Sequence, residues 1–172
     1  KTLVAITDGN WTFQGVVDLD TVGNPHVAIT VGEDIGQRRN APKTMRHFRW
    51  NGEAWTPSTN IGLPVGNGDI AVKSANEVSF YLESKDKEGV GEVSRWDSFN
   101  AGDTFKQATI FLRRKNSGFV ISSLIKNAHP DARIIVAEKE KGTDFRKMYL
   151  LGDNGPVKRL EKEVQLLKEV DK

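Results

Sequence analysis

The stretch of sequence that decides the fold is residues 45–56, MRHFRWNGEAWT. Its Asn51-Gly52 pair separates an aromatic and basic run from a shorter run that contains Trp55. An Asn-Gly pair between two hydrophobic runs is the strongest short-range hairpin signal that a sequence offers. The stretch therefore predicts two antiparallel strands joined by a tight turn.

The same arrangement recurs three times along the chain. Each copy has two apolar runs joined by a short polar turn, and then a third run that ends at another turn. The predicted strands are 13–20, 25–31 and 45–50 in the first copy, 70–73, 78–82, 92–96 and 104–108 in the second, and 119–126, 132–137, 146–151 and 156–158 in the third. Units of four short strands at a spacing of roughly 50 residues are typical of β-propeller blades.

These repeats predict an all-β fold, rather than the α+β alternative, with a partial β-propeller over residues 1–158. Its blades are placed at approximately 10–58, 66–109 and 117–158. Propellers typically close with about four to eight blades, and three would leave two sheet faces unpacked. We therefore expect the chain to be the C-terminal part of a larger propeller, completed by another chain or by upstream sequence.

The last residues follow a different pattern. Apolar side chains recur at spacings of three and four, at Leu160, Val164, Leu167 and Val170, with charges of both signs between them. This pattern predicts an amphipathic helix at 159–172, packed on the propeller rim or in an oligomer contact. A role at a lipid surface is not expected, because the polar face carries both signs.

The composition excludes several kinds of chemistry. The 172 residues include no cysteine, which removes disulfides, thiolate nucleophiles and thiolate metal sites. The formal net charge is only +2, so no overall field draws the protein towards nucleic acid or a membrane, and neither is expected as a partner. Any preference for an anion must therefore be local.

Several short runs carry a resemblance to a known family. They are DLDTVGNPHV at 18–27, RHFRWNG at 46–52 with Trp55, RWDS at 95–98 with GDTF at 102–105, and NAHPD at 127–131 with Tyr149 and Leu150. Over residues 10–158 these runs resemble the BNR-4 group of sialidase-like repeat proteins, which includes seven-bladed polysaccharide lyases such as ulvan lyases. A strict aspartate box is absent, since 98–105, SFNAGDTF, is only a degraded form of it. That departure argues against a sialidase.

The resemblance implies a fold, an activity and a location. It implies about three blades of a seven-bladed propeller, in a secreted or periplasmic lyase that acts on an acidic, uronate-containing polysaccharide. In such lyases the catalytic histidines come largely from the N-terminal half, so none is carried over to this chain. No cofactor is required by the sequence, and a structural Ca²⁺ or Zn²⁺ ion in the complete propeller stays open.

The most distinctive segment for function is the predicted loop at 32–47. It is much longer than the corresponding loops at 84–91 and 139–145, and long loops on a rigid scaffold often carry sites. In a propeller this loop would open at a channel mouth. It holds four cations beside a histidine: Arg38, Arg39, Lys43, Arg46 and His47. The alternative is a solvated basic loop that complements a neighbouring acidic blade.

The planar guanidinium of arginine offers two parallel hydrogen bonds to a carboxylate or sulfate. Arg38, Arg39 and Lys43 are therefore predicted to bind substrate. Trp11, at the entry to the first blade, is a candidate platform for stacking a sugar ring, with a buried core position as the alternative.

Elimination requires a neutralised uronate carboxylate, a base for the adjacent proton and an acid for the leaving oxygen. The predicted catalytic residues are Arg46 for the carboxylate, with His47 or Tyr81 for proton transfer. Because neighbouring residues of a strand point in opposite directions, at most one of Arg46 and His47 is expected to face the substrate.

Other candidates are predicted to be structural. His26 and His129 fall in or beside the hairpins of the opposite mouth, where histidines near proline turns are usually structural. The remaining tryptophans, Trp50, Trp55 and Trp96, are assigned to packing between sheets.

Three functions remain open from the residues. The first is the lyase, the second is a non-catalytic carbohydrate-binding propeller, and the third is a glycoside hydrolase, which needs two carboxylates such as those of Glu33, Asp34 or Glu83. No metal site is predicted, because neither Glu33-Asp34 nor Asp18 with Asp20 lies in a dense carboxylate pattern.

Overall fold

The computed structural model describes residues 11–32, 43–58, 61–124, 127–142 and 146–157. Within these ranges the chain is all-β and contains no helix. The strands are β1 (Trp11–Leu19), β2 (Pro25–Gly32), β3 (Lys43–Trp50), β4 (Trp55–Pro57), β5 (Gly66–Val72), β6 (Val78–Lys85), β7 (Gly91–Ser98), β8 (Lys106–Arg114), β9 (Ser117–Leu124), β10 (Ile134–Glu140), β11 (Arg146–Gly152) and β12 (Gly155–Pro156).

The strands form three four-stranded antiparallel sheets. Sheet I contains β1 to β4, sheet II contains β5 to β8, and sheet III contains β9 to β12, each with its strands in sequence order. Each strand therefore pairs with its neighbour in the chain. The hairpin predicted from Asn51-Gly52 is confirmed as the connection from β3 to β4, although the turn spans four residues, 51–54, between the paired Trp50 and Trp55.

The sheets pack in a propeller-like arrangement with sheet II in the middle. The first strand of sheet II, β5, contacts both β1 and β9. Two apolar cores result, one on each face of sheet II. The core between sheets I and II contains Ala28, Met45, Ile70, Val78, Phe80, Leu82 and Phe105, and the core between sheets II and III contains Tyr81, Val93, Phe111, Leu112, Phe119, Ile134, Val136 and Leu151.

The same aspartate contact joins both pairs of neighbouring sheets. Asp18 in β1 accepts a hydrogen bond of 2.9 Å from the backbone amide of Val72 in β5. In the same way Asp69 in β5 accepts one of 3.3 Å from the amide of Leu124 in β9. The other carboxylate oxygen of each aspartate accepts from the amide of the following residue. We call Asp18 and Asp69 the inter-sheet aspartates.

Other predictions agree with the structure only in part. The last strand of sheet II, β8, runs from Lys106 to Arg114, beyond the predicted 104–108. Of the tryptophans, Trp96 packs on the core between sheets I and II, whereas Trp50 and Trp55 pack on each other, with ring centroids 5.7 Å apart. The helix predicted at 159–172 lies outside the described residues. No helix in the described ranges is long and apolar enough to span a membrane.

Candidate functional site

The predicted substrate-binding residues lie at or beyond the limits of the described structure. Residues 33–42, which include Arg38 and Arg39, are outside the described ranges, as are Glu33 and Asp34. This segment joins the end of β2 at Gly32 to the start of β3 at Lys43. Lys43 and Trp11 begin β3 and β1, and for both only the backbone is described. Their predicted contacts with substrate therefore stay predictions.

Arg46 and His47 point to opposite faces of sheet I. Arg46 is paired with Ile29, is half-buried and lines a cavity of about 260 Å³ together with Pro57 and Ile61. His47 is paired with Ala28 and is only 1% exposed. The expectation that at most one of the two faces the substrate stays a prediction, and the structure shows only that Arg46 is the more exposed of the two.

His47 belongs to a buried chain of hydrogen bonds that also includes His26. Nδ1 of His26 lies 3.1 Å from Nε2 of His47, and Nδ1 of His47 lies 2.7 Å from Oγ of Ser58. The Ser58 hydroxyl donates its single proton to the carbonyl of Gly102, at 2.6 Å. We call these four residues the histidine relay.

The protons of the relay follow from this geometry. Since the Ser58 hydroxyl donates to Gly102, its oxygen must accept from Nδ1–H of His47. When His47 is neutral, its Nε2 carries the lone pair and accepts from Nδ1–H of His26. The relay ties sheet I to the turn between β7 and β8 of sheet II.

The electrostatic surroundings favour the same neutral state. The pKa of His47 is lowered from 6.5 to about 3, mainly by burial and also by the nearby His26 and Arg49, while the backbone of Gly102 acts in the opposite direction. Burial also lowers the pKa of His26, with Arg49 acting alongside burial and Asp20 and Asp18 against it. A proton-transfer residue needs access to substrate and a pKa near the working pH. The geometry therefore favours a structural role for His47, in contact with the histidine that was predicted at the opposite mouth.

Tyr81 lies on the other side of sheet II from His47. The ring of His47 contacts Phe80, which faces sheet I, whereas Tyr81 faces sheet III and stacks on Phe111 with an interplanar angle of 2°. The structure therefore does not bring the two predicted proton-transfer residues together. Burial raises the pKa of Tyr81, and Asp153 acts in the same direction. Its phenol thus stays protonated near neutral pH and is suited to donate a hydrogen bond rather than to act as a base.

A larger cavity, of about 620 Å³, lies next to Tyr81. Its lining comes from the turn after β1, the end of β5 and sheet III: Asp18, Leu19, Asp20, Thr21, Ala71, Val72, Lys73, Tyr81, Leu124, Asn127 and Arg133. Sequence reasoning missed this cavity because its residues come from all three repeats and none forms a local motif.

The charged groups near this cavity are paired. Arg133 forms two hydrogen bonds with the carboxylate of Asp153, at 3.0 and 3.2 Å, and donates a third to the carbonyl of Ala128. Arg95 lies 3.3 Å from Asp97 and 4.0 Å from Asp153. Because each carboxylate faces a guanidinium, the network adds little net field to the cavity.

The structure offers no cluster of metal ligands in its described ranges. No group of three or more histidine, aspartate or glutamate side chains there could hold a metal ion. The carboxylate of Asp20 instead accepts from the backbone amides of Val22 and Asn24 and so stabilises the turn after β1. His129, in the turn after β9, is exposed and lies 3.6 Å from Asp131.

Comparisons with known proteins find relatives of this chain. The chain is 63% identical over 169 residues to an ulvan lyase of Nonlabens ulvanivorans, and 43% identical over 162 residues to one of Alteromonas sp. (strain LOR). These matches cover 98% and 92% of this chain. This chain is similar to ulvan lyases. It spans 36% and 33% of the length of these two relatives, about a third of each.

A solved structure supports the same relationship. A polysaccharide lyase of family PL25, described as an ulvan lyase, superposes with a TM-score of 0.81 at 35% identity, over 96% of this chain and 38% of that one. The same match is found with a PL25 ulvan lyase bound to -[GlcA(1-4)Rha3S]-. The resemblance to polysaccharide lyases is therefore confirmed. No family model matches the chain, so the BNR-4 assignment stays a prediction.

Proposed function

We propose that the protein to which this chain belongs is a polysaccharide lyase that cleaves ulvan, or a closely related acidic polysaccharide, by β-elimination. The observation that carries the proposal is 63% identity to an ulvan lyase over 98% of the chain. In the full protein the three sheets would be three blades of a seven-bladed propeller, and the other blades would come from the remaining two thirds of the relatives' length. A secreted or periplasmic location belongs to the same proposal.

The chemistry of the substrate fits the predicted role of the cationic loop. A glucuronate unit carries a carboxylate and a 3-sulfated rhamnose carries a sulfate, and both groups match the two parallel donors of a guanidinium. We assign Arg38, Arg39 and Lys43 to binding these anions, together with the half-buried Arg46. In the reaction a base takes the proton at C5 of the uronate, the bond from C4 to the bridging oxygen breaks, and a C4–C5 double bond forms.

The buried position of His47 bears on which part of the protein neutralises the carboxylate and which part transfers the proton. Neutralising the carboxylate makes the C5 proton more acidic and stabilises the developing enolate. That task needs fixed positive charge, which this chain has, whereas the neutral and enclosed His47 is poorly placed to move the proton. We therefore assign anion recognition to this chain and proton transfer to the rest of the protein.

The activity is tested by incubating the full-length protein with ulvan. Elimination produces an unsaturated uronate, so ultraviolet absorbance rises together with new reducing ends. Reducing ends without absorbance would show hydrolysis, and binding without either would show a non-catalytic carbohydrate-binding propeller. Either of these results overturns the proposal.

The anion-binding role predicts a specific variant effect. Replacing Arg38 and Arg39 together by Ala is expected to raise the KM for ulvan at least about ten-fold, because one lost charge-assisted hydrogen bond costs about 1.5–3 kcal/mol. The matched control is Lys106→Ala, an exposed cation at the start of β8, which should leave KM unchanged. Equal KM values for the double variant and the control would remove the two arginines from the site.

A further inference from the structure

The 620 Å³ cavity lies at the far end of β2 from Gly32. It is lined by Leu19 and Thr21 at the turn after β1, while Gly32 ends β2. The eight residues of β2 separate the two ends by about 23 Å. None of the described residues that line the cavity belongs to the proposed anion-binding set. Its volume is within the range of about 300–1,000 Å³ that is typical of small-molecule sites.

One polar group lines the cavity on a side chain that is otherwise buried. Tyr81 is only 2% exposed, and its hydroxyl is not one of the buried polar atoms without a partner in the described structure, which are Nε1 of Trp55 and Nε of Arg95. Stacking on Phe111 fixes the ring, so the hydroxyl is held in place at little further entropic cost. A ligand hydroxyl in the cavity would form a hydrogen bond with this fixed group in place of solvent.

The charges around the cavity are balanced and already engaged. Lys73 lies 2.9 Å from Glu77, and Arg133 is held by Asp153. The two carboxylates in the wall, those of Asp18 and Asp20, accept hydrogen bonds from backbone amides. An anionic ligand would meet these two carboxylates without an unengaged cation to offset them. An uncharged ligand faces no such cost.

The rest of the wall offers apolar surface. Leu19, Ala71, Val72 and Leu124 line the cavity beside the polar Thr21 and Asn127. A pyranose ring presents C–H groups on its faces and hydroxyls at its edge, and so matches a wall that alternates apolar patches with hydrogen-bonding groups.

We propose that this cavity is a second carbohydrate site, which binds an uncharged sugar ring through the Tyr81 hydroxyl and the apolar wall. The choice of a sugar among uncharged ligands rests on the proposed polysaccharide lyase function. In the full protein the site would hold a neutral unit of a carbohydrate chain away from the point of cleavage.

The test is a calorimetric titration of the full-length protein with methyl α-L-rhamnopyranoside, an uncharged deoxysugar, and with glucuronate. The rhamnoside is expected to bind more tightly than glucuronate. Tyr81→Phe removes the hydroxyl and keeps the stacked ring, so it should weaken rhamnoside binding about five-fold. The matched control is Tyr149→Phe, since Tyr149 bonds to Glu138 outside the cavity, and it should leave binding unchanged. Thr21→Trp, at an exposed position of the mouth, should abolish binding.

Several outcomes would overturn the proposal. They are no binding of the rhamnoside, tighter binding of glucuronate, or unaltered binding in both Tyr81→Phe and Thr21→Trp. Its failure is distinguishable from failure of the lyase assignment. A protein that cleaves ulvan but does not bind the rhamnoside loses only the second site, whereas one that binds the rhamnoside but leaves ulvan intact loses only the lyase activity.

Discussion

At the scale of single residues, the histidine relay is the most informative feature of sheet I. A protonated imidazole at His47 would donate from both nitrogens, because Nδ1 already donates to Ser58, so Nδ1 of His26 would have to lose its proton and accept. The hydrogen bond from Nδ1–H of His26 therefore requires a neutral His47. Arg49 forms an ion pair of 3.3 Å with Asp103, and its guanidinium lies close enough to lower the pKa of both histidines.

This arrangement predicts acid sensitivity. The pKa of His47 is about 3 in the folded protein and 6.5 in an ordinary environment, so between these values the unfolded chain binds a proton that the folded chain does not. The free energy of unfolding should therefore be fully retained above about pH 6.5 and should fall by up to about 1.4 kcal/mol per pH unit as the pH decreases towards 3. Urea denaturation at neutral pH and at about pH 5 measures the slope.

Two further measurements isolate the cause. The ring resonances of His47 should stay those of a neutral imidazole at pH 5, whereas titration near 6.5 would contradict the prediction. His129→Asn, which removes an exposed histidine, should keep the wild-type slope, and His47→Gln should reduce it by about one proton.

Gly102 gives a second prediction at this scale. Its φ of +86° is unfavourable for other residues, and an added Cβ would overlap the ring of His47. Gly89 has a similar φ of +76° but open space around the missing Cβ. Gly89→Ala should therefore cost about 1 kcal/mol, and Gly102→Ala several times more. Similar thermal stabilities of the two variants would show that the ring moves aside easily.

The sequence could not predict the relay, for a physical reason. In β2 the buried positions are His26, Ala28, Thr30, Val31 and Gly32, while Val27 and Ile29 are only half-buried. The usual rule, that the more hydrophobic side of a strand faces the core, therefore favours the wrong side. Only the strand register brings His26 and His47 together.

At the scale of elements, the inter-sheet aspartates connect each first strand to the next. Asp69→Ala should remove the acceptor for the Leu124 amide and so speed hydrogen exchange at Leu124, while the Val72 amide, held by Asp18, stays protected. Asp69→Asn keeps one oxygen as an acceptor and should retain most of the protection. Equal exchange at Leu124 in the wild type and in Asp69→Ala would show that the contact does not hold the sheets together.

The elements were the part of the fold that the sequence predicted best. The Asn51-Gly52 turn and the repeated strand pattern are local signals, and the three four-stranded sheets follow them. The prediction ended this strand at residue 108 and so missed the apolar run Ile110-Phe111-Leu112 in the second half of β8. The pairing of sheets was accessible only through the repeat, since inter-sheet contacts join residues more than fifty positions apart.

At the scale of the whole molecule, the two outer sheets present apolar side chains to solvent. Val120 and Met148, both paired with Ala137 in sheet III, are 64% and 68% exposed, and Val17 of sheet I is 55% exposed. Because both faces of sheet II are covered by neighbouring sheets, we infer that a further sheet of the longer protein covers sheet III in the same way.

That inference predicts a context-dependent variant. In the 172-residue chain alone, Met148→Asp should change the free energy of unfolding by less than about 0.5 kcal/mol, because the position is exposed. In the full-length protein the same change should lower Tm by several degrees, since it buries a carboxylate. Met148→Leu, the apolar control, should have little effect in either. Equal effects of Met148→Asp in both contexts would show that nothing covers this face.

The inter-sheet aspartates also bear on how repeat proteins gain repeats in evolution. They span 54 and 55 positions, and each carboxylate reaches the amide of the last residue in the first strand of the following repeat. A tandem duplication of one repeat would also duplicate the aspartate that bonds to the neighbouring repeat. Lineages could thus gain or lose whole units without evolving a new joint.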